Sequence, residues 1–296
     1  MFKLALIYIF ILLHFISNAK NVKSNQETFI HDSLISIKQF GAKGDGITND
    51  YPAFLAIAKY INRKGSGNIF IPKGIYYIGV FYNKVNENKD IEFTNCNNLK
   101  IIGDHATIIL NGQFKRTADY RNKKYWYSYA RTIIPLSFNN CTNVEVEGLE
   151  INGNVSQITR DSNVVENQGY LLMLNNCENV EIKNMFLHHS QTDGIYIIGT
   201  NSNSKNVNMS NVISANNGRQ GMSVIGLLNG KFDHCQFINT GITGGVYGYH
   251  SPTAGVDIEP HPETVVEKIL FLHCIFKNNK GGNFYVLHQL PLRISF

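Results

Sequence analysis

The sequence has no Cys-x-x-Cys pair and no His-x-x-x-His pair, the spacings that bring two zinc ligands to one ion. No metal centre is therefore expected. It also lacks Gly-Lys-Ser/Thr, and no βαβ rhythm follows its glycine-rich turn Gly41-Ala42-Lys43-Gly44-Asp45-Gly46, so that turn is not a phosphate loop. Neither sign of charge predominates strongly: Lys and Arg number 27, Asp and Glu 22, and the formal net charge is +5. That excess suggests an anionic partner without establishing one. The apolar run from Leu4 to Ile16 is too short to span a bilayer. With Lys3 before it and Ser17-Asn18-Ala19 after it, residues 1–19 read as a secretory signal peptide. No cysteine follows that exit, so a lipid anchor is not indicated. The mature chain, with 20–33 as a linker, is expected outside the cytoplasm, secreted or periplasmic, with no membrane contact after cleavage.

What the sequence does have is a repeat. Gly169-Tyr170-Leu171-Leu172-Met173, Gly194-Ile195-Tyr196-Ile197, Gly221-Met222-Ser223-Val224 and Gly255-Val256-Asp257-Ile258-Glu259 each pair a glycine with a short apolar run, 25, 27 and 34 residues apart. Most of the runs alternate apolar and polar residues. Alternation marks strands, the glycine marks a bend where no side chain fits, and a period of that size marks a solenoid. A second phrase recurs in Thr94-Asn95-Cys96-Asn97-Asn98-Leu99, Asn139-Asn140-Cys141-Thr142-Asn143-Val144 and Asn175-Asn176-Cys177-Glu178-Asn179-Val180, blurred in His234-Cys235-Gln236-Phe237 and His273-Cys274-Ile275-Phe276. Strand, Asn-Cys turn, strand, turn, strand is one coil of a parallel β-helix. The fold class is all-β: a right-handed, single-stranded parallel β-helix over 34–296. Cysteines in one slot of consecutive coils stack about 4.8 Å apart with parallel Cα–Cβ bonds. This is the wrong aim for a disulfide, so reduced thiols packed as small hydrophobes are expected.

Residues 34–79 form an opening unit. Leu34-Ile35-Ser36-Ile37 is strand-like, and Asn49 or Asp50 can cap a helix carrying Phe54, Leu55, Ile57, Ala58 and Ile61 on its apolar side. Gly65 stops that helix, and Asn68-Ile69-Phe70-Ile71-Pro72 starts another strand. Such a helix would cover the open end of the solenoid. The phrase Phe40-Gly41-Ala42-Lys43-Gly44-Asp45-Gly46, with Asn49-Asp50 and Ile71-Pro72-Lys73-Gly74-Ile75-Tyr76, resembles the opening of the pectate lyase superfamily domain shared by rhamnogalacturonase-like and epimerase-like β-helix proteins. Some phage tailspikes open the same way. The resemblance implies the fold strongly and the reaction weakly.

Residues 114–131 interrupt the repeat with Lys115, Arg116, Arg121, Lys123, Lys124 and Arg131 among Phe114, Tyr120, Tyr125, Trp126, Tyr127 and Tyr129. Rings stack on sugars and cations pair with carboxylates. Arg116, Lys124, Trp126 and Tyr127 are therefore candidate contacts to an acidic polysaccharide. Nucleic acid, the rival anion, suits an exported β-helix less well.

Registering the strands on their glycines turns Ile195, Ile197, Met222, Val224, Val256 and Ile258 inward. Tyr196, Ser223 and Asp257 then form one outward column, with Glu259 two residues on. Asp193, Arg219 and Gln220 precede the glycines, and His189, His250 and His261 lie in adjoining turns. Asp193 and Asp257, two coils apart, are roughly 10 Å apart along the axis, and side-chain reach could bring them to the spacing of an acid–base carboxylate pair. Asp193, Asp257 and Glu259 are the candidate acids and bases, and Arg219 could hold a substrate carboxylate or depress one aspartate. His189, Tyr196, Gln220, Ser223 and His261 are candidate substrate contacts.

Thr192-Asp193-Gly194-Ile195 is similar to part of the Asn-Thr-Asp-Gly signature of polygalacturonases, and Arg219-Gln220-Gly221-Met222-Ser223-Val224 to their Gly-His-Gly strand. That resemblance implies a catalytic Asp193 and puts Gln220 in the histidine's slot. The family's paired aspartates and its Arg-Ile-Lys strand have no counterpart. Asn216-Asn217-Gly218-Arg219-Gln220-Gly221 resembles an arginine-containing strand of alginate epimerases.

The expectation is a polysaccharide-degrading enzyme, hydrolysis slightly preferred and no cofactor required. One alternative is a lyase or C5-epimerase, in which Arg219 neutralises a uronate, Tyr196 or His189 moves the proton and Ca²⁺ sits on the carboxylates. Another is a tailspike-like glycan binder without turnover. From Leu287 the pattern fades, so the terminal segment folds over the last coil or further coils are missing.

Overall fold

The computed structural model describes residues 34–80, 88–112, 133–158, 166–200, 202–241 and 252–287, with short strand pieces at 115–116, 120–121, 126–127, 129–131 and 293–295. The expected signal peptide and linker, 1–33, lie outside the described residues. Among those described, no helix is long and apolar enough to cross a membrane.

Two parallel sheets carry the coils. A short-strand sheet stacks Glu92–Thr94, Ser137–Asn139, Leu172–Asn175, Ile195–Ile198, Met222–Val224, Val256–Ile258 and Phe284–Val286 in chain order. A long-strand sheet stacks Asn97–Gly112, Thr142–Asn152, Glu178–His188, Ser204–Ala215, Leu227–Asp233 and Val266–Leu272, also in chain order. Each strand pairs with the one a coil earlier and the one a coil later, in register: Val144 with Val180, Val180 with Val207, and Leu172 with Ile195. This is a parallel β-helix, and chain-order stacking follows from apolar faces that only a neighbouring coil can cover.

The coils turn on asparagine. Asn98, Asn143, Asn179, Asn206 and Asn229 sit at one corner with φ between 52° and 61°, the left-handed region that asparagine tolerates best after glycine. Their amides form a ladder: Asn143 donates to Asn98 at 3.0 Å, Asn179 to Asn143 at 3.1 Å, Asn206 to Asn179 at 2.9 Å and Asn229 to Asn206 at 3.0 Å. We expect Asn179→Ala to lower the unfolding free energy by about 1–2 kcal/mol, and Asn179→Gly, which keeps the φ but not the ladder, to cost less. A shift of the urea midpoint at constant slope measures both.

Between these corners the cysteines point inward. Cys96, Cys141, Cys177 and Cys235 are buried, Cys274 is half-buried and all five are free. Each thiol donates to a carbonyl instead, Cys141 to Phe93 at 3.3 Å and Cys177 to Phe138 at 3.4 Å.

The opening unit differs in detail from the sequence reading. The first strand is only Ile35–Ser36, and Ile37–Phe40 is a short 3₁₀ turn ended by Gly41 at φ 95°. The helix runs Tyr51–Lys64, with Ala53, Phe54, Ile57, Ala58 and Ile61 buried in the same core as the first coils, and stops at Gly65 with φ 80°. Leu55, read as apolar-face, is half-buried. Asp50 occupies the capping position without capping. Its carboxylate accepts instead from the backbone N–H of Lys43 at 2.6 Å and Gly44 at 2.9 Å, tying the glycine turn to the helix start.

In the insertion, Lys115–Arg116 runs antiparallel to Tyr129–Arg131, and Tyr120–Arg121 antiparallel to Trp126–Tyr127. Tyr129–Arg131 also pairs parallel with Glu166–Gln168. Arg116, Trp126 and Tyr127 thus lie on strands; Lys124 and His250 fall outside the described residues.

Candidate active site

The predicted inward residues Ile195, Ile197, Met222, Val224, Val256 and Ile258 are all fully buried. Tyr196, Ser223 and Asp257 pair across three strands as one column. The column faces away from the core, as expected, yet Ser223 and Asp257 are buried. Only Tyr196 and Glu259 are partly exposed.

The turn carrying Asp193 is fixed by a layer of small polar side chains. Ser190 Oγ and Thr192 Oγ1 donate to the Gly169 carbonyl at 2.7 and 2.6 Å, and Asn217 Oδ1 accepts from the Ser190 N–H at 2.9 Å. Asn217 in turn donates to Ser214, whose hydroxyl donates to the Gly221 carbonyl. A Cβ at Gly194 would overlap Ser214 Oγ and Asn217 Nδ2, so the glycine beside Asp193 is required by crowding and not by its φ. Ser190 and Ser214 did not stand out in the sequence, and Asn217 entered only within the Asn216–Gly221 phrase; serine and asparagine are too common in turns to signal a buried layer.

Held by that turn, the Asp193 carboxylate is wholly buried and saturated. Arg219 donates through Nε to Oδ1 at 2.8 Å and through Nη2 to Oδ2 at 2.7 Å, the bidentate geometry of a strong ion pair. The Gln220 N–H adds a bond to Oδ1 at 3.2 Å and Ser223 Oγ one to Oδ2 at 3.0 Å. Of the two roles open to Arg219 in the sequence, the geometry shows the contact with an aspartate. Arg219 is engaged by Asp193 and does not present its charge to a substrate carboxylate through those donors. Asp193, with four donors on two oxygens, is the arginine's anchor.

Gln220 joins the two aspartates, because its side-chain amide donates to Asp257 Oδ2 at 2.7 Å. Asp257 Oδ1 is buried without a protein partner. Burial pushes the Asp257 carboxyl up to about 6, and the negative charges of Glu259 and Asp193 add to the rise against the bond from Gln220 and the charge of Arg219. One carboxylate is thus saturated by four donors, and the other keeps its proton into weakly acidic solution.

The remaining candidates separate. Tyr196 stacks on Tyr170 at 4.1 Å with an interplanar angle of 7°. Burial first, then Tyr170 and Asp193, push its phenol far up, so it stays protonated and is no base. His189 sits at a corner with φ 53° and partners His188. Burial and the neighbouring His188 hold its pKa below the usual imidazole value. His261 lies in an exposed loop 3.9 Å from Glu263. Neither histidine is hydrogen-bonded into the aspartate network. Calcium takes six to eight oxygens. Arg219 already engages both Asp193 oxygens, so Asp193 is a poor calcium ligand.

No family model matches the chain. Over 108 residues it is 32% identical to the polygalacturonase ADPG1 of Arabidopsis thaliana, a stretch covering 35% of this chain and 22% of the relative. The chain therefore spans less than a quarter of that protein's length. Among solved structures it superposes on a protein of Parabacteroides merdae assigned to the glycosyl hydrolases with TM-score 0.53 and 17% identity, over 82% of this chain and 95% of the other. It also superposes on tailspike gp49 of the Acinetobacter baumannii bacteriophage Fri1, a capsular polysaccharide depolymerase, with TM-score 0.53 and 15% identity, over 90% of this chain and 47% of the other. At such identities the structures share a fold. That shared fold is the parallel β-helix built from the two chain-order sheets.

Proposed function

We propose that this chain cleaves glycosidic bonds in a uronic-acid-containing polysaccharide by hydrolysis, outside the cytoplasm, on the outer face of the short-strand sheet. The observation that carries this reading is Asp257, buried with a raised pKa and an unpaired oxygen, beside an Asp193 whose oxygens Arg219 already engages. In carbohydrate cleavage an acid must hold its proton until the leaving oxygen needs it, while a second carboxylate stays ionised. Asp257 has the first property. Glu259, partly exposed and two residues on, is the candidate for the second role. About 6.6 Å of extended chain separates their backbones, and side-chain reach sets whether the carboxyl groups fall in the roughly 6.5–9.5 Å window that admits a water in inverting enzymes. The likeness to a polygalacturonase and, in fold, to a polysaccharide depolymerase supports a polysaccharide substrate. The basic and aromatic insertion suits an anionic one. A lyase or epimerase would need a free cation on the uronate and a competent base, and the engagement of Arg219 and the protonated Tyr196 weigh against these two as its agents.

The test is an assay of reducing ends and of unsaturated-uronate absorbance on pectic, alginate and host-type acidic glycans, with and without calcium. We expect reducing ends without absorbance, falling on the order of 10²–10⁴-fold in Glu259→Gln. New absorbance would replace hydrolysis by β-elimination. Binding without turnover in any condition would make the chain a glycan binder.

A further inference from the structure

Coil stacking creates a second cluster that linear spacing hides. Asp233, His234 and His273 lie on the long-strand sheet, away from the short-strand sheet that carries Asp257. Asp233 ends the strand Leu227–Asp233, and His234 occupies the next corner with φ 53°. One coil later His273 takes the same corner with φ 51°. Upstream the corner is held by Asn184 and Asn211, linked at 3.3 Å, so the asparagine ladder gives way here to imidazoles. The two rings lie side by side, tilted by 30°, with centroids 4.6 Å apart. His234 Nδ1 is 2.7 Å and His273 Nδ1 3.0 Å from the same Asp233 oxygen, Oδ1. The ligand atoms all lie within 4.8 Å of one another. Lys231 approaches the other carboxylate oxygen, Oδ2, at 3.8 Å.

We propose that Asp233, His234 and His273 bind one divalent transition metal ion of the zinc, nickel and copper group and so clamp two successive coils. An ion with bonds of about 2.0–2.2 Å needs neighbouring ligand atoms about 2.9–3.5 Å apart, close to the two Nδ1–Oδ1 distances present. Two imidazoles and one carboxylate suit these borderline metals and not calcium, which takes oxygens. The backbone does the preorganising, because both histidines hang from corners fixed by the ladder hydrogen bonds of neighbouring coils. Both imidazole side chains are 62% or more exposed, so an ion reaches them directly and keeps solvent on its open positions. The absence of His-x-x-x-His, read from the sequence as evidence against a metal centre, excluded only ligands adjacent along the chain.

The test is titration of the full chain with Zn²⁺ by calorimetry, with Ca²⁺ as control, alongside thermal melting. His234→Asn with His273→Asn is the informative variant, since asparagine holds the same corner upstream and the fold is checked by circular dichroism. Asp233→Asn is a second variant that leaves both corners intact. We expect a Zn²⁺ site in the native chain that raises the melting temperature, tenfold or more weaker in either variant, with no comparable Ca²⁺ binding. Zn²⁺ affinity unchanged in both variants, or native binding no tighter than theirs, overturns the proposal.

Discussion

Asp257→Asn is expected to stabilise the fold at neutral pH while removing turnover. The Asp257 carboxyl titrates near 6 in the folded chain against an ordinary value of 3.8. A group whose pKa rises on folding favours the folded state below its unfolded value, and that contribution is lost as pH climbs through the folded value. For Asp257 the window runs from about pH 4 to about pH 6. Above it, an ionised carboxylate is held in a buried site at a cost of about 3 kcal/mol, because each tenfold change in proton affinity is worth about 1.4 kcal/mol. Asparagine keeps an acceptor for Gln220 and carries no charge. Urea denaturation at pH 4, 5, 6 and 7 should show the variant gaining about 1–3 kcal/mol at pH 7 and losing the native chain's decline across that window. Reducing-end release should fall on the order of 10²–10⁴-fold, because an amide cannot supply a proton. A variant with the native pH dependence would remove Asp257 as the titrating group. In the native enzyme, activity should fall as pH rises past about 6.

Removing the arginine has the opposite sign. Arg219→Leu leaves Asp193 wholly buried with its counter-charge gone, and breaking a buried pair from one side costs about 3–5 kcal/mol. Asp193→Asn in the same chain removes the stranded charge and should restore most of that loss. A double-mutant cycle by chemical denaturation measures the coupling. If Arg219→Leu lost turnover at unchanged stability, the guanidinium would be a substrate contact and not the partner of Asp193.

The solenoid was legible because its signals are local and recur. Glycine, alternating apolar residues and Asn-Cys corners repeat coil after coil, and the inward set from Ile195 to Ile258 follows from period two alone. The aspartate network was half legible. Position along the axis could be counted from the coils, which brought Asp193, Arg219, Gln220, Ser223 and Asp257 together. Side-chain aim could not be counted. Whether Arg219 turns toward a substrate or toward Asp193 depends on rotamers and on the Ser190, Ser214 and Asn217 layer, and none of these has a sequence signature. The charge state of Asp257 was hidden for the same reason, since burial of an outward-facing column is a tertiary property. His234 and His273 were seen as blurred members of the repeat, while their pairing needed the register.

The corner residues carry one more consequence. A position with φ near 55° accepts asparagine and histidine alike, as Asn211 followed by His234 and His273 shows. Shape at a corner is therefore set by the backbone, while the group displayed there is open to exchange. Such a scaffold separates inheritance of form from acquisition of chemistry. A duplicated coil arrives already in register, adds about 4.8 Å of length, and brings a fresh set of corner side chains on which new binding can be written without redesigning the core.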